Sequence, residues 1–333
     1  MVMFIRVLKS NQPVVIFIIA IVIGLLWLSS FLDPTAMKIP TDSLNMPFYD
    51  FFGRYIPENS FLSVFVAFSL VVIQSVVLIQ FNKRNIVINY RTYLPAFFYI
   101  IIASSFIPLQ RFNPVLIGSF FIFIAISFVY TTYRVDYALN NLYLAGFFIA
   151  IATLFYAPFA IFIVILWISL LILRPFIGRE WVVGILGFLT PVFFVFTFYF
   201  VFQEKMLLVY IDRFLQSFTF IKQFYSIHLS YYLLFGFIAL LILFASYNLI
   251  VDMQKKKIKI RKYFMLNWWI FFLGALLFIL LKNVSYEIIF LLAIPISFLF
   301  SDYVYSVRKN WVLNSILTIF LALLFYIQIN ALY

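Results

Sequence analysis

A tract without a single charged residue runs from Leu142 to Leu173 and constrains the fold more than any other stretch. One helix of that length would extend ~48 Å, whereas the hydrocarbon core of a bilayer is roughly 30 Å thick. The tract is interrupted at Ala157-Pro158, where proline removes a backbone donor and disfavours helix in the preceding residue. It therefore predicts a hairpin of two short helices. A charged turn, Arg174 to Glu180, and a further crossing follow it.

The composition favours the same class of protein. Hydrophobic residues make up 66% of the sequence and charged residues only 10%, and several separate apolar runs are long enough to span a bilayer. In lipid, backbone polar groups are satisfied only in helices or closed barrels, and the alternating segments of a barrel are missing. The sequence therefore predicts an all-α polytopic integral membrane protein. The lack of cysteine excludes disulfides and thiolate metal sites.

We predict eleven transmembrane helices in a bacterial inner membrane, with the N-terminus cytoplasmic and the C-terminus periplasmic. Cytoplasmic loops collect Lys and Arg, and this topology places 16 of the 23 basic residues inside and 7 outside. Without the hairpin, every later loop would change side. The predicted crossings are 13–31, 60–80, 93–109, 114–132, the two arms of the 142–173 hairpin, 181–202, 229–251, 264–281, 286–300 and 311–332.

Two segments between crossings, 32–59 and 204–228, carry apolar residues at helical spacing. Such spacing is typical of amphipathic helices that lie on a membrane surface, here on the periplasmic side. The spaced residues are Leu44, Phe48, Phe51, Phe52 and Tyr55 in the first segment, and Leu207, Ile211, Phe214, Leu215, Phe218 and Ile221 in the second.

Several classes of function lack their usual residues. All charged side chains map to loops or helix ends, whereas buried intramembrane charges are typical of ion-coupled transporters. Walker, Rossmann, zinc-protease and G-x-S-x-G patterns do not occur. His228 is the only histidine, so a histidine-based metal or haem site is excluded. The net charge of +12 is explained by cytoplasmic loops, and we predict no nucleic-acid partner.

The predicted layout has two acidic, aromatic outer segments, one after helix one and one after helix seven. It also has a hairpin arm rich in small residues, LYLAGFFIAIATLFYAP. This layout resembles the GT-C superfamily of membrane glycosyltransferases, which use polyprenyl-phosphate-linked sugars at the outer membrane face. The resemblance implies a seven-helix module over residues 1–228 and a four-helix C-terminal region over 229–333. Through LPAFFYI, FNPVLIG and RPFIGREW, the chain also resembles an uncharacterised multi-pass family of Bacteroidota, which implies no function.

The GT-C resemblance implies a catalytic carboxylate just beyond helix one, at Asp33. Its role would be that of general base on the acceptor hydroxyl, and the resemblance also allows a divalent metal ion as cofactor. The match is incomplete, because many members have an acidic pair there and this chain has Asp33-Pro34-Thr35. The alternative is structural: Asp33 caps a short helix whose first residue is Pro34.

Basic residues fall into two predicted groups. Arg54, Arg111, Arg213 and Lys222 lie on outer segments and are candidates for binding the lipid phosphate, because cationic side chains bind phosphate well. The alternative is that they anchor the protein at the interface. On the cytoplasmic side, contacts with anionic lipids or a partner protein are predicted for Arg174, Arg179, Lys255, Lys256 and Lys257.

Two other functions remain open from the sequence alone. The few ionisable groups and the 47 phenylalanines also suit a non-enzymatic transmembrane subunit or scaffold, whose partners would be other cell-envelope proteins. A carrier or channel for a lipidic substrate is the third hypothesis. All three hypotheses share membrane lipids as partners.

Overall fold

The computed structural model describes residues 7–10, 12–34, 44–88, 92–135, 137–220, 228–307 and 310–330. Within these ranges the chain forms helices and no β-strand. The helices are α1 Val14–Leu32, α2 Pro47–Gly53, α3 Phe61–Asn85, α4 Leu94–Ala103, α5 Pro114–Thr131, α6 Leu139–Phe155, α7 Ile163–Leu173, α8 Gly178–Phe202, α9 Glu204–Gln216, α10 Leu229–Asp252, α11 Ile258–Leu280, α12 Ile289–Ser306 and α13 Asn310–Asn330.

The uncharged tract folds back at its proline, as predicted. Helix α6 ends at Phe155, a 3₁₀ turn containing Pro158 spans Ala157–Phe162, and α7 follows. Leu142 near the start of the tract and Leu170 near its end belong to one buried cluster, so the two arms run in opposite directions. The prediction of a hairpin is confirmed.

Eight of the described helices are long and apolar enough to cross a membrane, and α4, α6 and the segment Ala157–Leu173 are shorter apolar helices. The fold is therefore all-α, with the helices of a multi-pass membrane protein; eleven crossings and their orientation stay predictions. The predicted helix 93–109 is shorter than expected. Helix α4 ends at Ala103, and a 3₁₀ turn containing Pro108 follows at Ile107–Leu109. Proline cannot continue the helical hydrogen bonding.

Helix α12 lies at the centre of the bundle. Its span is 83% buried, and it packs against α4, α5, α10 and α11. Helix α8 lies at the periphery with only 11% of its span buried. It is held closely on α6, because a Cβ at Gly146 or Gly187 would collide with a backbone carbonyl oxygen of the other helix. Such close backbone approach between small residues is common in membrane helix pairs.

The bundle has two chemically different ends. We call the end that carries Asp33, Asp50, Glu58, Arg111 and Glu287 the carboxylate end, and the opposite end, with basic residues 255–262, the lysine end. Contacts at the carboxylate end include Ser30 Oγ–Gln110 Oε1 at 2.6 Å and Asn283 Nδ2–Gln216 O at 2.8 Å. Contacts at the lysine end include Arg174 Nη1–Thr132 O at 2.9 Å and Tyr305 Oη–Lys9 O at 2.8 Å.

Candidate functional site at the carboxylate end

Helix α2 forms part of a cover over the carboxylate end. Pro47 is its first residue, a position where proline loses no helical hydrogen bond. Its apolar face points inward, and the buried ring of Tyr49 stacks on Phe112 with centroids 5.4 Å apart. Phe48 packs on Phe155 at the end of α6. The amphipathic pattern predicted for this segment thus corresponds to a helix that packs on the bundle.

Helix α9 forms the other part of the cover and is joined to α2 by an ion pair. Arg213 Nη1 lies 2.7 Å from Asp50 Oδ2 and 2.9 Å from the carbonyl oxygen of Asn45. Tyr210 donates a hydrogen bond to the same Asp50 oxygen at 3.1 Å. Burial, and then the Asp50 charge, raise the pKa of the Tyr210 phenol above its ordinary value. Arg213, a predicted phosphate ligand, is therefore already engaged by a carboxylate.

The far end of α9 is fixed to the loop that precedes α12. The backbone N–H of Lys282 donates to the carbonyl of Thr219 at 2.9 Å, beside the Asn283–Gln216 bond. From the hairpin turn, Tyr156 donates from its hydroxyl to the carbonyl of Asn283 at 3.2 Å. Three distant parts of the chain, the hairpin turn, α9 and the loop before α12, therefore meet at one place.

Glu287 lies beneath this cover and was not among the predicted site residues. It belongs to the 3₁₀ turn Tyr286–Ile288, is only 2% exposed, and its Oε2 has no hydrogen-bond partner among the described residues. The hydroxyl of Ser285 is likewise unpartnered there. Burial, and then the charges of Glu287, Glu58 and Asp50, raise the pKa of Tyr49 above its ordinary value. The charge of Glu287 therefore acts on the Tyr49 phenol.

Arg111 is the predicted phosphate ligand best placed to act at this end. It is half-buried, and its Nη1 donates to Asn59 Oδ1 at 3.0 Å. Burial lowers the pKa of the Arg111 guanidinium, and the Glu58 charge opposes that effect. A partly desolvated guanidinium forms strong charge-assisted hydrogen bonds with anions.

Asp33 is exposed at the end of α1, and its backbone N–H donates to the carbonyl of Ser29 at 2.9 Å. The Ser30–Gln110 hydrogen bond brings this helix end to the loop that carries Arg111. The alternative role of Asp33, as the cap of a helix starting at Pro34, concerns a segment that continues outside the described residues. Arg54 is exposed directly after α2, and Lys222 lies outside the described residues.

An apolar groove opens in the side of the bundle and extends towards this site. Helices α10 and α11 both pack on α12 rather than closely on each other. Between them is a cavity of about 260 Å³ lined by apolar side chains such as Ile238, Phe271 and Leu292. Tyr286 and Ile288, the two neighbours of Glu287, are also part of its lining. The groove therefore ends at the turn that carries the buried carboxyl.

The family model that matches this chain covers residues 3–333 and describes a family of unknown function. The chain belongs to the DUF6427 family. Comparisons with curated proteins and with solved structures give no match. Membership of DUF6427 assigns no activity, so the function of this chain has to be argued from its own residues.

At the lysine end of this DUF6427 chain, the predicted cations differ in how they are engaged. Arg174 and Glu180 form a buried pair at 2.8 Å, with side chains only 5% and 3% exposed. Lys256 pairs with Asp302 at 2.5 Å and Lys255 with Asp252 at 2.6 Å. The exposed side chains of Arg179 and Lys257 suit the predicted contact with anionic lipids better than Arg174 does.

The resemblance to GT-C enzymes allows a divalent metal, and the carboxylates of this DUF6427 chain provide a test. Among the described residues, no three Asp, Glu, His or Cys side chains converge as metal ligands. Asp50 is already paired with Arg213. The described carboxylates therefore do not fit a three-ligand metal site, and we derive no step that uses one.

Proposed function

We propose that this protein handles a polyprenyl-phosphate-linked sugar in a bacterial inner membrane. In this proposal the chain crosses eleven times, its N-terminus is cytoplasmic and its carboxylate end faces the periplasm. The greater number of Lys and Arg at the lysine end supports that orientation.

The observation that carries the proposal is the apolar groove between α10 and α11. It is apolar, as an isoprenoid chain requires, and it ends at a polar cluster. An unsealed groove between helices of membrane-spanning length faces lipid. Helix α1, which leads to Asp33, contributes no residue to the lining of this groove.

The loop between α4 and α5 connects the groove to the predicted base. Phe106 lies at a ring distance of 5.5 Å from Tyr286 at the end of the groove. Four residues later Gln110 bonds to Ser30 of α1, and Arg111 follows it. A lipid phosphate above the groove would therefore lie on the side of the bundle that carries Arg111.

The proposed reaction is transfer of the sugar to a hydroxyl acceptor. Asp33 takes the acceptor proton while the acceptor oxygen bonds to the anomeric carbon of the sugar. The bond from that carbon to the phosphate oxygen breaks, and the electron pair leaves with polyprenyl phosphate. Arg111 stabilises the charge that develops on this leaving group.

The replacement Asp33→Asn tests the proposal. We expect sugar transfer from a radiolabelled polyprenyl-phosphate sugar to fall at least ~100-fold, the usual contribution of a general base, while the melting temperature stays unchanged. Asp212→Asn, on the exposed face of α9, is the matched control and should retain transfer. Unchanged transfer by Asp33→Asn would remove this mechanism.

A non-enzymatic role in an envelope assembly is the second candidate, and the surface of α8 favours it. Helix α8 exposes a dense set of phenylalanines that could contact lipid or another membrane protein. Stoichiometric co-purification with another envelope protein, lost on replacing these rings by leucine, would support this function. A lipid carrier would instead move a labelled lipid across liposomes without chemical change. The exposed rings are Phe193, Phe194, Phe196, Phe198, Phe200 and Phe202.

A further inference from the structure

Glu287 has no role in the proton-transfer and bond-breaking steps proposed above, and its environment is unusual. Its carboxyl is buried beneath the cover made by α2 and α9, with no ion-pair partner among the described residues. Tyr156 donates to the carbonyl of Asn283, four residues before Glu287, and Tyr49, on whose phenol the Glu287 charge acts, donates to the carbonyl of Phe112. Ser285, two residues before Glu287, adds an unpartnered hydroxyl.

Such a carboxyl is costly unless it meets a hydrogen-bond partner. Burying a polar group without one costs roughly 1–3 kcal/mol on scales derived from protein mutants, and more for a charge. Most buried polar side chains in proteins are satisfied for this reason. An unsatisfied carboxyl oxygen two residues from an unsatisfied hydroxyl, in one buried turn, therefore indicates a place for a ligand.

The groups around Glu287 indicate the chemistry of that ligand. Besides the carboxyl, the turn and its neighbours offer two phenols, one serine hydroxyl and the carbonyl of Asn283, and the charge of the exposed Glu58 also acts on Tyr49. Hydroxyls and carbonyls together offer donors and acceptors, which match a polyol better than a fixed cation.

We propose that Glu287, Tyr49 and Tyr156 bind the hydroxyl-bearing head group of a lipid whose chain lies in the groove between α10 and α11. This inference rests on the proposed function, since it identifies where the sugar of the donor lipid is held. Glu287 accepts or donates hydrogen bonds to the head group, and Tyr286 and Ile288 contact the first part of the chain.

A hydrophobic carbodiimide tests the inference without any assay of sugar transfer. A protonated carboxyl adds to a carbodiimide carbon, its proton passes to nitrogen, and the adduct rearranges to a stable N-acylurea that mass spectrometry detects. In the full chain, reconstituted in phosphatidylcholine vesicles, we expect an adduct at Glu287. Glu287→Gln should lose this adduct, whereas Glu58→Gln, at an exposed carboxylate, should retain it.

Protection then identifies the ligand class. We expect hexyl glucoside to slow labelling of Glu287 several-fold and hexylammonium to leave it unchanged. Ala239→Phe narrows the groove and should abolish protection, whereas Ala322→Phe, on the exposed face of α13, should not. If Ala239→Phe fails to fold, Ala239→Leu makes the same comparison with a smaller side chain. Tyr49→Phe should weaken protection while leaving the adduct itself in place.

Three outcomes would overturn the inference: no adduct at Glu287, an adduct that hexyl glucoside does not protect, or equal protection by hexylammonium. The two proposals fail separately. Protection by the glucoside without any sugar transfer would reject the enzymatic function and keep the head-group site. Transfer that depends on Asp33, without labelling or protection at Glu287, would keep the enzyme and reject this site.

Discussion

Each end of the bundle buries a glutamate, and the two glutamates differ in whether they have an ion-pair partner. Glu180 at the lysine end is 3% exposed and forms a two-pronged pair with Arg174, with nitrogen–oxygen distances of 2.8 and 2.9 Å. Glu287 at the carboxylate end is 2% exposed and has no cation within ion-pair distance among the described residues. The two glutamate side chains are equally buried, but the charge of Glu180 is neutralised by an ion pair whereas Glu287 has no ion-pair partner among the described residues.

This difference indicates different roles: the paired glutamate stabilises the fold, and the unpaired glutamate is available to bind a ligand. At the lysine end Arg174 also donates to the carbonyls of Thr132 and Val135, so the ion pair joins the hairpin to the turn after α5. A pair that is satisfied on every side holds segments together and has little capacity left for a ligand. A buried carboxyl without a partner stabilises nothing around it, and it persists only where another role requires it.

The largest expected effect is that of Arg174→Met. Removing one partner of a buried ion pair leaves an uncompensated charge and typically costs ~3–5 kcal/mol. The lost hydrogen bonds to Thr132 and Val135 add to this cost. We expect a markedly lower melting temperature of the detergent-solubilised protein, measured by the fluorescence of its tryptophans.

The double variant Arg174→Met with Glu180→Met is the control for this effect. Replacing both members of a buried pair by apolar residues is often nearly neutral, because no buried charge remains. The double variant should therefore be more stable than Arg174→Met alone. Equal melting temperatures for the two variants would mean that Glu180 is not the reason Arg174 matters.

An intermediate effect is expected from the matched replacements Glu180→Gln and Glu287→Gln. Glu180→Gln weakens a charge-assisted pair and should cost about 1.5–3 kcal/mol. Glu287→Gln removes a carboxyl with no cation partner, so stability should stay the same or rise. The measurement is the same thermal unfolding experiment. If both variants lost stability equally, Glu287 would have a structural partner and the contrast between the two ends would disappear.

Much of this fold follows from local patterns in the sequence. The tract from Leu142 to Leu173 is too long for one crossing and contains a proline, and those facts alone predict its hairpin. Apolar spacing likewise predicts helices α2 and α9. The shortening of α4 was missed, because its residues are apolar up to Pro108 and the pattern does not show where the helix ends.

The candidate site was harder to predict, because its properties depend on distant contacts. In the sequence Glu287 starts an apolar run and looks like an ordinary charge at a helix end. Its turn follows Asn283, which bonds to Tyr156 and Gln216, two residues far from it in the chain. The predicted cations show the same limit: Arg54 and Arg213 look alike in sequence, but only Arg213 faces Asp50.

The smallest effect is expected at the ion pair that joins α9 to α2. The side chains of Arg213 and Asp50 are 32% and 21% exposed, so water screens their attraction, and pairs of this kind contribute at most about 1 kcal/mol. Arg213→Gln should therefore barely change the melting temperature. It should, however, let the cover open more often, because α9 loses the Arg213 bonds to Asp50 and to the carbonyl of Asn45 and keeps the weaker Tyr210 bond to Asp50.

Hydrogen exchange separates these two effects, because local opening changes amide protection without global unfolding. We expect faster exchange of the α9 amides in Arg213→Gln, and no change in Arg54→Gln, where an exposed arginine on the same surface is removed. The carbodiimide should also reach Glu287 faster in Arg213→Gln, because the cover lies above that carboxyl. Unchanged exchange and unchanged labelling would show that apolar packing alone holds α9 in place, and the carboxylate end would then be as rigid as the lysine end.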